Sequence, residues 1–201
     1  MQDGDFRARK PAIDVTRLDD GTTTAASSGS TIKTKSTAEM PEKLTVRRAR
    51  RGEAGHLTAL CLRSKRHWGY DEPFMRLAAM TLVVTEAAIA AGDVWVAATA
   101  GTDHALGVTA LGGSGSELEL QLLFVDPPAM GLGVGRLLFD VARQHLTSAG
   151  VDRMLILSDP NATGFYLRMG ARPIGEAPSD AIPGRMLPLF EYRHRTDQRL
   201  A

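Results

Sequence analysis

Apolar residues along the chain alternate in some stretches and recur at three- and four-residue spacing in others, and these two periods predict its elements. LTVRRA from Leu44 alternates as a first strand, and a helical pattern from about Gly52 puts Leu57, Leu60 and Cys61 on one face. Pro73 opens a second helical region running through Met75 and Leu77 towards Ile89, and Gly92-Asp93 ends it. VWVAATA and ALGVTALGG then read as a hairpin across Gly101 to His104. A further strand, ELELQLLFV, covers Glu117 to Val125, with Glu117, Glu119 and Gln121 on one face and Leu118, Leu120 and Leu122 on the other. A glycine-rich turn leads into an amphipathic helix carrying Leu137, Leu138, Val141 and His145 or Leu146, closed at Ala149-Gly150. A short strand (Met154 to Ser158), a helix from about Ala162 to Met169 and a final hairpin over Arg172 to Tyr192 complete the pattern. Hairpins combined with a strand-helix-strand unit predict a mixed α+β sheet.

The pattern fails before Leu44. Gly21 to Ala38 contains 6 Thr, 4 Ser and 2 Gly with Ile32 as its only large aliphatic residue, too little apolar surface to offset the entropy of ordering. Residues 1–43 are therefore expected to be a disordered extension, 44–195 the folded domain and 196–201 a short tail.

With 201 residues, 43% of them hydrophobic, the chain can bury a core without a staple, and its one cysteine, Cys61, can form no internal bridge. A cytoplasmic location is expected, because acidic residues from Asp3 to Asp20 interrupt any apolar signal core. No apolar run approaches the ~20 residues of a bilayer span, so no membrane partner is expected. Twenty-four basic against 23 acidic side chains give +1, which supplies no field for nucleic acid. His56, His67, His104, His145 and His194 lack paired ligand spacing, so no metal is expected.

The chemistry concentrates at Met130-Gly131-Leu132-Gly133-Val134-Gly135-Arg136, where a strand turns into a helix. Glycines there let backbone approach an anion while the first N–H groups of the helix point at it, an arrangement suited to a pyrophosphate. The segment lacks the Lys-Ser or Lys-Thr of a Walker loop, and its third glycine comes one residue early for a dinucleotide-binding turn. On spacing alone, the glycines serve equally well for tight strand-helix packing.

ELELQLLFVDPPAMGLGVGRLLFDVA followed by SDPNATGFYLRMGARPIGE resembles the GNAT superfamily of acetyl-coenzyme A dependent N-acetyltransferases, over about Leu44 to Tyr192. The resemblance implies a mostly antiparallel twisted sheet of six to seven strands with helices on both faces. It implies acetyl-coenzyme A as co-substrate, with Met130, Gly133 and Gly135 at the family's pyrophosphate-binding positions and Gly131 and Arg136 beside them. Met130 stands where the family usually has Arg or Gln. The strand carrying Leu123, Phe124 and Val125 is expected to splay and receive the pantetheine arm, with the Leu123 N–H facing the thioester oxygen. Asn161 is expected to contact the coenzyme, because the family's usual asparagine is replaced by Asp159.

The same resemblance makes Tyr166 the acid that protonates the departing sulfur, whereas spacing alone makes it a core aromatic. Glu119 is the candidate base for the attacking amine, with solvent exposure on a half-buried strand as the alternative. Lys65, Trp68, Tyr70 and the stretch Ser179 to Arg185 would wall the acceptor, Trp68 and Tyr70 as an apolar lid and Arg185 as partner for a carboxylate; burial of the aromatics and a solvated arginine are the alternatives. The expected activity is acetyl transfer to a primary amine of a small molecule or peptide by direct attack in a ternary complex, against a noncatalytic acyl-coenzyme A binding module. A homodimer is among the assemblies the resemblance allows.

Overall fold

The computed structural model describes residues 43–113 and 117–194. The extension expected over 1–43 lies outside them except for Lys43, whose carbonyl accepts a hydrogen bond from the Ala100 N–H; the tail over 196–201 lies outside them as well.

Seven strands form one sheet: β1 (Leu44–Arg48), β2 (Val94–Thr99), β3 (Ala105–Gly112), β4 (Glu117–Val125), β5 (Arg153–Leu157), β6 (Arg172–Pro178) and β7 (Met186–Arg193). Their order is β1-β2-β3-β4-β5-β7-β6, and every neighbouring pair is antiparallel except β4 with β5. The helices are α1 (Ala54–Arg66), α2 (Glu72–Thr81), α3 (Glu86–Ala91), α4 (Val134–Ser148) and α5 (Thr163–Arg168). This is the expected mixed α+β sheet.

Each sheet face carries its own core. On one, Leu57, Leu60 and Cys61 of α1 and Ile89 of α3 pack on Val94, Val96, Val108 and Ala110. On the other, Phe139, Ala142 and Leu146 of α4 and Tyr166 of α5 pack on Leu118, Leu120, Met154, Ile156 and Phe190. Arg63 of α1 is fastened to the end of β4 by a two-pronged ion pair with the buried Asp126 (3.1 and 2.7 Å), a geometry that fixes orientation as well as distance.

Two expectations are corrected. The single helical region drawn from Pro73 to Ile89 is two helices, because the β-branched run Val83, Val84, Thr85 leaves the helical path. Val84 is buried and its N–H bonds to the Thr58 hydroxyl (3.0 Å), while the Thr85 hydroxyl accepts the Ala88 N–H (3.1 Å) and starts α3 afresh. The second correction concerns β4. Ala110 pairs with Leu122 but Leu111 pairs with Leu120, so Gln121 is an extra residue, a bulge. Leu118 and Leu120 belong to the α4 core as expected, but after the bulge the alternation inverts. Leu122 and Phe124 pack on the α1 face, the side of the sheet to which Glu117 and Glu119 point, and Leu123 and Val125 pack on the α4 face.

Candidate active site

The bulge coincides with the end of pairing between β4 and β5. Register runs from Glu117↔Arg153 to Leu120↔Ile156 and stops, so Leu122 to Val125 keep a neighbour only on the β3 side. The Asp126 N–H bonds to the Leu106 carbonyl (2.8 Å), which sets the phase of the antiparallel ladder. Alternation along that ladder turns the N–H and C=O groups of Leu123 and Val125 away from β3 and into the gap.

Where the gap opens, α4 begins. It is seated close to the sheet because β3 has no side chain at Gly107: a Cβ there would stand 2.8 Å from Val134 Cγ1 and 2.9 Å from the Phe124 carbonyl oxygen. A 3-10 turn, Pro127–Ala129, leads to a loop in which Gly131 (φ 83°) and Gly133 (φ 87°) adopt the left-handed conformation that side chains resist. Met130 and Leu132 bond back into the turn, and the Leu137 N–H closes the first helical bond on Gly133. The N–H groups of Gly131, Gly133, Val134, Gly135 and Arg136 have no acceptor among the described residues. Nothing lies within 4 Å of a Cβ built at Gly131 or Gly133, and Gly131, Gly133, Gly135 and Arg136 line an open cavity. Gly135 faces inward, its built Cβ 3.3 Å from Phe165, which lets α4 and α5 approach. Bare N–H groups, a helix N-terminus and an open approach fit a diphosphate.

These features belong to one cavity of about 630 Å³. At the loop end it is lined by Met130, Gly131, Gly133, Gly135 and Arg136, joined by Arg168 of α5, and its middle by Leu123, Phe124 and Val125. Tyr166 lines it as well. That side chain is 6% exposed, its ring packs among Phe139, Phe165 and Phe190, and its hydroxyl has no hydrogen-bond partner among the described residues. Burial, with a smaller contribution from the Asp159 charge, pushes its phenol well above the ordinary range, so it keeps its proton at neutral pH.

The opposite end is built from side chains brought together from far apart in the chain. Lys65 Nζ meets Asp159 Oδ2 at 2.5 Å, and the Tyr70 hydroxyl lies 3.0 Å from both Asp159 oxygens. Arg185 donates to the Tyr70 oxygen (2.8 Å) with its guanidinium over the Tyr70 and Phe74 rings, which stack 4.0 Å apart. The Asn161 amide donates to Asp159 (3.0 Å) and to Tyr70 (3.3 Å). Burial alone would raise the Asp159 carboxyl, but the bonds from Lys65, the Asn161 N–H and Tyr70 outweigh it and hold the group below the usual carboxylate range.

Of the residues singled out in the sequence, Leu123, Phe124, Val125, Met130, Gly131, Gly133, Gly135, Arg136, Asn161, Tyr166, Trp68, Lys65 and Asp159 line this cavity. Tyr70 and Arg185 stand behind Asp159 and are not among its lining residues. Glu119 is exposed, two residues from the lining Gln121, and carries no ion pair among the described residues, whereas Glu117 is paired with Arg153. Sequence reasoning missed Ser64 and Arg168, which also line the cavity; Arg168 was detectable as the basic residue two positions after Tyr166 on the same short helix. Cys61 is buried away from this cavity, and burial pushes its thiol up to about 12. Among the described residues there is no grouping of three or more His, Cys, Asp or Glu side chains able to hold a metal ion, and no helix long and apolar enough to cross a membrane.

A family model for the acetyltransferase (GNAT) domain matches residues 77–180, more than half of the chain. The chain belongs to the GNAT acetyltransferase family and is an acyltransferase. Among solved structures it is similar to the PaiA N-acetyltransferase of Thermoplasma acidophilum, crystallised in complex with coenzyme A (14% identity over 76% of this chain and 99% of that one, TM-score 0.62). It is similar also to a GCN5-related N-acetyltransferase from Rhodopseudomonas palustris (19% identity, 78% and 100% covered, TM-score 0.62) and to YjaB from Escherichia coli in its apo form (26% identity, 74% and 95% covered, TM-score 0.54). No curated protein matches the sequence.

Proposed function

We propose that this protein transfers an acetyl group from acetyl-coenzyme A to the primary amine of a small molecule or peptide, by direct attack with both partners bound. The observation that carries the reading is the set of five unpartnered N–H groups from Gly131 to Arg136, opening onto the unpaired edge of β4. The coenzyme A bound to the Thermoplasma relative supports the choice of ligand. When bound, acetyl-coenzyme A would supply the activated thioester.

The residues divide the remaining work. Gly131, Gly133, Val134, Gly135 and Arg136 hold the diphosphate through backbone donors, and no side chain at Met130 is needed for those bonds. Leu123 and Val125 bind the pantetheine arm as an added strand through groups that point into the gap, with Phe124 between them. The Leu123 N–H donates where negative charge develops on the carbonyl oxygen, and a donor in that role is worth on the order of 100- to 1000-fold in rate. Tyr166 holds a proton at Oη and delivers it to the departing sulfur. An alkylamine of reference pKa ~10.4 is neutral in only about one molecule in a thousand at pH 7. Glu119, the free carboxylate on the α1 face of β4, takes the amine proton through an intervening water. Lys65 and Trp68 line the acceptor end, Tyr70 and Arg185 hold Asp159 in place behind it, and Asn161, on the cavity lining beside Asp159, contacts the coenzyme.

Incubating the full chain with acetyl-coenzyme A and a mixed amine panel, reading free thiol and then product mass, tests this. The expected result is acceptor-dependent thiol release with a product one acetyl group heavier. Saturable coenzyme binding with no thiol release for any amine would overturn it.

A further inference from the structure

Ser64 is the one polar side chain of α1 that is buried and unused. It is 4% exposed, it lines the cavity, and its hydroxyl has no hydrogen bond among the described residues, not even to the carbonyl one turn back. Among the described residues Arg153 Nε alone is a fully enclosed side-chain polar atom without a hydrogen-bond partner, so the Ser64 hydroxyl opens into the cavity and is free to bond a ligand there. Gln121 lines the same cavity from the sheet side. It is exposed on the α1 face, its amide lies over Gly112, where a Cβ would come within 2.1 Å of Nε2, and it too has no partner among the described residues. Trp68, 41% exposed, lines the cavity next to them.

The charged groups at this end are already spent on each other. Lys65 and Asp159 are mutual partners at 2.5 Å with 14% of each side chain exposed, and Arg185 is engaged by Tyr70 and two ring faces outside the lining. Arg136, in the first turn of α4, and Arg168 also line the cavity, and on the acetyl-transfer reading the phosphates of the coenzyme would claim them. A carboxylate on the acceptor would therefore lose water and find no free cation at this end, and a second ammonium would find only Glu119, the carboxylate already given to the reacting amine; either is costly. A neutral hydrogen-bonding group would instead satisfy the Ser64 hydroxyl and the Gln121 amide.

We infer that Ser64 and Gln121 form the hydrogen-bonding subsite for the acceptor, and that this subsite selects amines whose remaining body is uncharged, part polar and part aromatic or apolar. This rests on the acetyl-transfer reading and narrows it to a substrate class; Arg185, read from the sequence as a carboxylate partner, on this view stands behind the wall and braces Tyr70.

The test compares tyramine and tyrosine amide with tyrosine and spermidine as acceptors for the full chain, in the wild type and in Ser64→Ala and Gln121→Leu. The two uncharged-bodied amines are expected to exceed tyrosine and spermidine in kcat/KM by on the order of a hundredfold, the cost of an unpaired charge. Each substitution is expected to raise the KM for tyramine by about tenfold, the effect of one hydrogen bond at a desolvated site, while the KM for acetyl-coenzyme A stays unchanged and shows that the variant is folded. Tyrosine or spermidine matching tyramine, or a Ser64→Ala enzyme with unaltered tyramine KM, would overturn the inference and leave acetyl transfer standing. No turnover of any amine would overturn both.

Discussion

The two ends of the cavity are made from different materials. The loop end is backbone: glycines at Gly131 and Gly133 in left-handed conformation, N–H groups with no acceptor, and a helix start seated on the bare Gly107. The acceptor end is side chain: Lys65, Tyr70, Asp159 and Arg185, drawn from three separate regions of the sequence and held by one network. A backbone site binds whatever fits the anion and is insensitive to most substitutions outside its glycines. A side-chain site can be retuned residue by residue.

That contrast can be broken first at the point where the two ends meet. Tyr166→Phe keeps the packed ring and removes a hydroxyl with no protein partner, so stability and coenzyme affinity should hardly change while kcat falls about 100-fold or more. Steady-state kinetics beside a thermal melt checks this, and a lowered melt with unchanged kcat would return Tyr166 to a packing role.

Gly133→Val strikes the loop end alone. A β-branched residue at φ 87° costs about 1–3 kcal/mol of strain, and relaxing it turns the donors away. The dissociation constant for acetyl-coenzyme A should rise at least tenfold, measured by calorimetry.

Asp159→Asn strikes the acceptor end alone. Losing the charge that pairs with Lys65 should lower stability at pH 7 by about 1.5–3 kcal/mol and raise the acceptor KM severalfold, with coenzyme affinity within twofold of wild type. The pH dependence has a definite sign. The folded Asp159 carboxyl titrates below its unfolded value of about 3.9, so its contribution is complete above that value and is lost as pH falls through the folded pKa. Denaturant melts of wild type and variant should therefore differ at pH 7 and converge in acid below about pH 4.

The smallest effect expected is a gain. Met130→Gln adds one polar side chain to a cradle that already works through backbone, so coenzyme affinity should tighten by about two- to tenfold, the value of a single hydrogen bond.

The same contrast explains what could be read from the chain. A backbone site leaves its trace in composition, as glycines at fixed spacing before Leu137, Leu138 and Val141, and the helical and alternating periods placed nearly all the elements around it. The bulge at Gln121 left no such trace, since one extra residue in a strand changes no residue type, only the face on which Leu122 lands. The break between α2 and α3 is carried by a tertiary bond from Thr58 to Val84, which helical periodicity does not encode. The acceptor network joins residues 94 and 115 positions apart, so Lys65 and Asp159 were each singled out from the resemblance, but their pairing with each other was not legible. Ser64 gave no signal, because a serine on a helix becomes informative only when its burial and lack of a partner are known.

The most direct measurement of the central claim is calorimetric titration of the full chain with acetyl-coenzyme A and, in parallel, with acetyl-pantetheine, which has the same thioester arm and no diphosphate. Backbone donors from Gly131 to Arg136 predict saturable one-to-one binding of acetyl-coenzyme A and binding of acetyl-pantetheine weaker by at least about 100-fold, as expected for losing several charge-assisted hydrogen bonds. Equal affinities, or no heat with either compound, would contradict it.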